Sequence, residues 1–130
     1  MKLPAIITLI SGMFMLVSSL AHAFLGWPAL ESLLLAAGVD AETTAALGVG
    51  WHFGSMAMAV FGLIVFAISW QHLRGKTPSM LPVSFIAAGY VVFGLTAYIA
   101  RDLNPHFLMF AVTGLLTGVL PIAKSRNQPL

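Results

Sequence analysis

The chain has 130 residues, of which 59% are hydrophobic and only 8% are charged. A soluble domain typically has about 25% charged residues, so a water-soluble fold could not bury this much apolar surface. The chain contains no cysteine, which excludes disulfides and thiolate metal ligands. Its six basic and four acidic residues give a net charge of +2. Because the basic residues are scattered, this small excess does not indicate a nucleic-acid partner.

Four long apolar segments follow one another along the chain. They cover residues 3–25, 45–70, 83–100 and 106–123. Each is close to the length of about 20 residues that a transmembrane helix needs, and none alternates polar and apolar residues as a membrane β-strand does. The sequence therefore predicts an all-α integral membrane protein, in which residues 1–130 form a single membrane domain built as a four-transmembrane-helix bundle.

Polar residues and prolines predict where these helices begin. Asp40 is expected to cap a second helix that extends from residue 41 to about residue 72, and Asn104 is expected to cap the fourth helix. Pro82 and Pro105 suit the first turns of the third and fourth helices, where a missing N–H has no helical partner. The boundaries are thus indicated independently of hydropathy.

The segment between the first and second spans predicts a helix of its own. Pro28 suits the beginning of a helix and Gly38 suits its end. The segment is too short to cross a bilayer. We therefore expect a short interfacial helix between helices 1 and 2, lying at the outer membrane surface or over the mouth of the bundle.

The basic residues divide unequally between the two sides of the predicted bundle. An alternating four-helix path places Arg101 on one side and the other basic residues on the opposite side. These are Lys2, Arg74, Lys76, Lys124 and Arg126. Because Lys and Arg are enriched in cytoplasmic loops, the N and C termini and the 71–81 loop are predicted to be cytoplasmic.

The first span also has some features of a secretory signal peptide. Lys2 precedes an apolar stretch, and Ala21-His22-Ala23 has the form of a cleavage site. The apolar stretch is longer than the h-region of a usual signal peptide, which favours a retained first span. Cleavage would instead leave three spans, with His22 next to the cleavage site.

Ionisable residues inside membranes are costly, so each one is a candidate functional residue. His22, His52, Arg101 and His106 all fall near the outer ends of the predicted spans. His22 continues a stripe of small and hydroxyl residues on the first span, and His52 does the same on the second. Such stripes face neighbouring helices in membranes. Both histidines are therefore predicted to point into the bundle.

These residues suggest a cofactor site, although separate structural roles for the histidines, with no cofactor, are the leading interpretation. His22, His52 and His106 could converge on copper or zinc, for which neutral imidazole is a suitable ligand. Alternatively, His22 and His52 could be the axial ligands of a b-type haem, with Arg101 paired to a propionate. The same residues could serve a proton or quinone site, or three separate histidines could simply bond to neighbouring helices.

Glycine pairs and tryptophans complete the set of informative residues. Gly50-x-x-x-Gly54 and Gly114-x-x-x-Gly118 predict close helix contacts, either within one chain or between chains. Trp27, Trp51 and Trp70 lie near the predicted interfaces, where amphipathic rings anchor spans.

One group of residues resembles a known class of proteins. It consists of the run Gly50-Trp51-His52-Phe53-Gly54-Ser55, with His22 and Trp27-Pro28 upstream. With these residues the chain resembles small, uncharacterised four-helix inner-membrane proteins that are widespread in bacteria. The resemblance covers most of the chain. It implies a bacterial inner (plasma) membrane location and no particular activity.

Three classes of function remain open. The first is an accessory or structural subunit that joins a homo-oligomer or a larger membrane complex. The second is a redox module that binds metal or haem b, and the third is an oligomeric transporter or channel for a small solute. An enzyme is disfavoured, since the predicted spans contain no carboxylate pair and no nucleophile placed beside a base. No catalytic residue is predicted, and the lipid bilayer is the one partner expected in every case.

Overall fold

The computed structural model describes residues 2–125, which are helical almost throughout. The elements in chain order are α1 (Lys2–Ala21), a π-helical segment (His22–Gly26), α2 (Trp27–Ala36), α3 (Ala41–Leu73), α4 (Leu81–Ala100), a 3-10 segment (Pro105–Phe107) and α5 (Leu108–Ser125). No β-strand occurs within residues 2–125. The prediction of an all-helical chain is confirmed.

Four continuous helical stretches are long and apolar enough to cross a membrane. They are Lys2–Ala36, Ala41–Leu73, Leu81–Ala100 and Pro105–Ser125. Hydroxyl side chains such as Thr8 and Ser55 are buried between helices, whereas Phe85 and Val92 are exposed. This arrangement suits lipid, because apolar side chains gain little by leaving hydrocarbon while small and hydroxyl residues favour helix–helix contact.

The predicted caps are found at the beginning of α3 and of the last helical stretch. The Asp40 carboxylate accepts hydrogen bonds from the Thr43 backbone N–H at 2.9 Å and from the Thr43 hydroxyl at 2.8 Å. These bonds, the backbone one above all, lower the pKa of the Asp40 carboxyl. The stabilisation by this cap is therefore present at neutral pH and is lost as the pH falls through the lowered pKa. Asn104 accepts from the His106 N–H at 3.0 Å.

α1 and α2 form one continuous helical stretch through the π-helical segment. The Trp27 N–H donates to the His22 carbonyl, five residues earlier. This wider turn accommodates Pro28, whose ring would collide with the carbonyl four residues back in a regular α-helix. The short helix predicted after Pro28 is therefore present as α2 but is joined to the first span. Gly38, with φ of 82°, follows its end.

α1 and α3 pack antiparallel, with their backbones in close contact at one pair of glycines. A Cβ on Gly12 would lie 3.0 Å from the Gly62 carbonyl oxygen, and a Cβ on Gly62 would lie 2.8 Å from the Gly12 carbonyl oxygen. Both distances are too short for a methyl group against backbone. Only glycine therefore allows the two helices to approach this closely.

Nearer the π-helical segment, two tryptophans pack between α3 and the helical stretch that contains α1 and α2. The Trp27 ring covers Gly48, where a Cβ would lie 2.7 Å from the ring, and the Trp51 ring covers Gly26, where the distance would be 2.9 Å. Both rings thus lie in helix–helix contacts, and their predicted role as anchors at the membrane interface stays a prediction. Trp70 is 49% exposed.

α5 packs antiparallel against α4 through a second set of glycines. A Cβ on Gly94 would collide with the α5 backbone, and a Cβ on Gly114 would lie 2.6 Å from a backbone oxygen of α4. The close contact expected at Gly114 is confirmed. At Gly50 and Gly54, nothing described lies within 4 Å of an added Cβ, so this pair makes no such contact within the chain. A contact of this pair between chains stays a prediction.

α1 also packs against α5, around a proline. Pro121 lies inside α5 and has no N–H to donate to the Thr117 carbonyl. The Thr8 hydroxyl of α1 lies 3.3 Å from that carbonyl oxygen, and its own oxygen accepts from the Leu120 N–H at 3.2 Å. α1 thereby pairs with backbone groups that the proline leaves unsatisfied, which matters most where no water is available.

We expect Thr8→Val to lower the free energy of unfolding by about 1 kcal/mol, because the isosteric side chain cannot bond to the Thr117 carbonyl. The measurement is an unfolding titration with sodium dodecyl sulfate in mixed micelles. Thr96→Val is the control, since Thr96 is exposed on α4 and should unfold like the wild type. Equal midpoints for the two variants would contradict a role for Thr8 at the proline.

The helices pack in the order α3, α1, α5, α4, so that α3 and α4 are the two outermost helices of the series. α1 packs on both α3 and α5, and α5 packs on α4, whereas α3 and α4 pack against each other far less closely. The Phe61 and Tyr90 rings meet edge to face, with centroids 6.4 Å apart, where these two helices approach. Beside this contact a cleft separates α3 from α4.

Candidate functional site

The four residues singled out from the sequence lie at one end of the molecule. His22 begins the π-helical segment, His52 lies in α3, Arg101 follows the last residue of α4, and His106 lies in the 3-10 segment. The alternating direction of the helices brings these parts of the chain to the same end. Their immediate surroundings nevertheless differ, and the four side chains do not line one shared pocket.

His22 is held in place by contacts with α3. Its Nδ1 lies 2.8 Å from the Ser55 hydroxyl oxygen, and its ring stacks on the Trp51 ring with centroids 4.0 Å apart and planes inclined by 6°. The Trp51 Nε1–H donates to the His22 carbonyl at 2.7 Å. The prediction that His22 points between helices is confirmed. Together these contacts fix both the ring and the backbone of His22.

The two hydrogen bonds of Ser55 are satisfied together by one tautomer of His22, the one with its proton on Nδ1. The Ser55 hydroxyl donates to the Trp51 carbonyl at 3.0 Å. Since a hydroxyl has one proton, its oxygen is then free to accept from an Nδ1–H of His22. In this arrangement the His22 Nε2 has a free lone pair, and it makes no hydrogen bond with residues 2–125. His22 therefore offers a hydrogen-bond acceptor.

His52 does not point between the helices as predicted. It is exposed, and its ring lies 5.9 Å from the Trp27 ring. The reason is the period of the α3 contact face. The buried residues Gly48, Ser55, Gly62 and Ser69 recur every seven positions, which is the repeat of helices that coil around each other. The buried residues Thr44 and Val65 share the seven-residue register of Trp51, so Trp51 takes the inner position and His52 lies beside it.

The structure does not support the predicted three-histidine metal site. Within residues 2–125, no group of three or more His, Cys, Asp or Glu side chains is arranged to hold a metal ion. His52 is exposed beside the Trp27 ring, and His106 packs edge to face on Phe107. Arg101 is exposed. The alternative of a b-type haem, with His22 and His52 as axial ligands and Arg101 paired to a propionate, stays a prediction.

Two adjoining cavities lie behind the cleft between α3 and α4. One has a volume of about 340 Å³ and the other about 550 Å³. The walls that they share are formed by His22, Met58, Tyr90 and Phe110. The larger cavity opens between α3 and α4, where Phe85 and Phe93 are exposed. The smaller one extends towards α1 and α5 and reaches His106, while neither His52 nor Arg101 lines it.

Tyr90 is the residue that the sequence reading missed. It lies in the middle of α4, is only 9% exposed and forms part of both cavities, yet its buried hydroxyl has no hydrogen-bond partner within residues 2–125. A buried hydroxyl without a partner costs about 1–3 kcal/mol. The available signal was its position, because tyrosines in spans usually lie at the interfaces rather than near the middle.

The cavities are uncharged. Among the residues described, no Asp, Glu, Lys or Arg lines either one. Their walls consist mainly of aromatic rings, methionines and small residues, with His22, His106, Tyr90, Ser18 and Thr113 as the polar members. Pockets of this kind, apolar with a few polar groups that fix orientation, are typical of small-molecule sites. The arrangement suits an uncharged apolar molecule.

The chain was compared with known protein families, curated proteins and solved structures. No known protein family matches the chain, and neither a curated protein nor a solved structure shows significant similarity to it.

Proposed function

We propose that this chain is a multi-pass protein of the bacterial inner membrane that binds a lipid-soluble molecule between α3 and α4, as an accessory subunit of a larger membrane complex. In this proposal the four long helices form a transmembrane bundle. The single observation that carries the binding function is the pair of adjoining cavities behind the α3–α4 cleft.

The charges of the loops support an orientation with both termini in the cytoplasm. Arg74 and Lys76 follow α3, and Lys124, near the end of α5, donates from its Nζ to the Pro78 carbonyl at 3.0 Å. With Lys2, which begins α1, four basic residues thus lie at one end of the helices, the side that the positive-inside rule assigns to the cytoplasm. Arg126, which contributes to the same prediction, lies outside the described residues.

The position of the cleft supports entry from the bilayer. It lies along the sides of two long apolar helices, and its rim carries the exposed rings of Phe85 and Phe93. A molecule dissolved in the hydrocarbon would therefore reach the cavity sideways, without crossing water. Gly54 and Gly89 widen this route, since nothing lies within 4 Å of a Cβ built on either residue.

The other two classes of function receive less support. A metal site built from three histidines needs ligands that converge, and no group of three or more His, Cys, Asp or Glu side chains among the described residues does so. A solute channel needs a continuous polar path, whereas the hydroxyls of Thr8, Ser11 and Thr117 bond to one another or to α5 backbone. A binding role within a complex requires only the cavity and the contact surfaces that the helices expose.

Photolabelling with a diazirine-bearing alkane in proteoliposomes tests this function. Labelling of cavity residues such as Met58 should saturate as the probe concentration rises, because the cavity holds a limited number of molecules. Labelling of Val60, which is 47% exposed on α3, should rise in proportion to the probe in the bilayer. The labelled positions are identified by mass spectrometry of peptides.

A cavity-filling variant provides the control. In Gly89→Trp the new ring should occupy the cavity and abolish the saturable labelling. Val92→Trp adds the same ring at a position that is 64% exposed on α4 and should leave the labelling unchanged. Labelling of Met58 that never saturates, or that survives in Gly89→Trp, would refute binding in the cavity.

A further inference from the structure

We infer that the molecule bound in this cavity is a hydroquinone with an apolar tail, held by His22 and Tyr90; this inference rests on the proposed binding function. The two residues lie on different helical stretches, α1–α2 and α4, and both line both cavities. Each also has unused hydrogen-bonding capacity within the described part of the chain. The identity of the ligand follows from the chemistry of these groups and of the walls.

The two polar groups call for different atoms on the ligand. With the proton on Nδ1, the tautomer that satisfies both hydrogen bonds of Ser55, the His22 Nε2 lone pair needs an O–H or N–H donor. The Tyr90 hydroxyl can donate to an oxygen. This hydroxyl is buried, and the flexible side chains of Met15 and Met58, which line the same cavity, can move to admit that oxygen. A hydroquinone supplies a hydroxyl to each group.

The charge and the aromatic character of the cavity walls further restrict the chemical class of the ligand. An anionic headgroup inside the cavity, such as that of an ionised fatty acid, needs a cationic partner, and no Lys or Arg among residues 2–125 lines the cavities. Aromatic rings dominate the walls, with Phe110 meeting Phe93 at 5.0 Å and Tyr90 at 6.1 Å. Such rings favour a flat aromatic headgroup through stacked or edge-to-face contacts. The tail can leave through the α3–α4 cleft into the bilayer.

Competition against the alkane photolabel tests this inference. A short-tailed hydroquinone should displace the saturable label from Met58 in the wild type. Its dimethyl ether, which keeps the ring and the tail but has no O–H donor, should compete at least about five-fold less well, since a hydrogen bond of ordinary strength contributes about that factor. Diacylglycerol, a neutral lipid with a hydroxyl and no aromatic ring, should compete as weakly.

Tyr90→Phe separates ligand binding from a structural role. It should raise the hydroquinone concentration needed for half-displacement by about five- to ten-fold. Without ligand the same variant should unfold at a higher temperature than the wild type, because it removes a buried hydroxyl that has no partner. Tyr98→Phe on the same helix, outside both cavities, should change neither quantity.

The outcomes distinguish the two proposals. Saturable alkane labelling that the hydroquinone does not displace, or displaces equally in Tyr90→Phe, overturns the hydroquinone assignment and leaves the binding function standing. Equal competition by diacylglycerol or by the dimethyl ether overturns it as well. Absence of saturable labelling overturns both proposals together.

Discussion

Replacing Gly12 with alanine is expected to lower the free energy of unfolding by roughly 1–3 kcal/mol, the range typical of overpacked contacts. The added methyl group would lie 2.9 Å from the Phe66 backbone nitrogen and 3.0 Å from the Gly62 carbonyl oxygen. These are backbone atoms of α3, which cannot rotate away as a side chain can. α1 and α3 would therefore have to separate, and the other contacts between them would weaken. The measurement is an unfolding titration with sodium dodecyl sulfate in mixed micelles.

Gly50→Ala is the matched control for this prediction. Gly50 also lies in a helix, but nothing described lies within 4 Å of a Cβ at this position. Alanine is the better helix former, so the control should be neutral or slightly more stable than the wild type. A loss of stability in Gly50→Ala comparable to that in Gly12→Ala would show that the glycine contact with α3 is not the cause. It would also favour a contact between chains at Gly50.

Replacing Trp51 with alanine is expected to lower the free energy of unfolding by about 2–4 kcal/mol. Removal of a buried tryptophan costs about 3–5 kcal/mol, and Trp51 is partly exposed. The ring fills the space over Gly26, stacks on His22 and donates to the His22 carbonyl. Its loss should therefore free the π-helical segment as well as destabilise the chain. Hydrogen exchange at the amides of residues 22–27 should accelerate.

Trp70→Ala is the control for Trp51, since Trp70 is 49% exposed and stacks on Phe66 near the other end of α3. A change of less than about 1 kcal/mol is expected for such a surface position. Amide exchange in the π-helical segment should not change in this variant. Normal exchange in Trp51→Ala would contradict the role of Trp51 in holding His22.

The helices and their ends could be predicted from the sequence because local chemistry determines them. Hydropathy indicated the four helical stretches, and the side chains of Asp40 and Asn104 mark helix beginnings wherever they can accept a backbone N–H. The continuity of α1 with α2 could not be predicted in this way. It depends on a π turn that accommodates Pro28, and a proline after a span is equally consistent with a new helix.

The candidate site was predicted only in part. The small-residue stripe on α1 correctly placed His22 between helices, since its neighbours on that face are also buried. The same reasoning failed for His52, because Trp51 and His52 both flank the stripe that contains Gly48 and Ser55, and the side that faces α1 is set by tertiary packing. Trp51 and Tyr90 belong to the site because the packing of the helices brings them to the same cavity. The space that they line exists because α3 and α4 pack less closely than the other neighbouring helices do. Local sequence patterns do not predict how closely two helices pack.

Native mass spectrometry of the full chain, loaded with the alkane probe in bilayer nanodiscs, tests the central claim most directly. The claim is that the cavity behind the α3–α4 cleft holds a lipid-soluble molecule. We expect the wild type and Val92→Trp to retain bound probe after the surrounding lipid has been removed, and Gly89→Trp to lose it. Equal retention by Gly89→Trp, or no retention by the wild type, would contradict the claim.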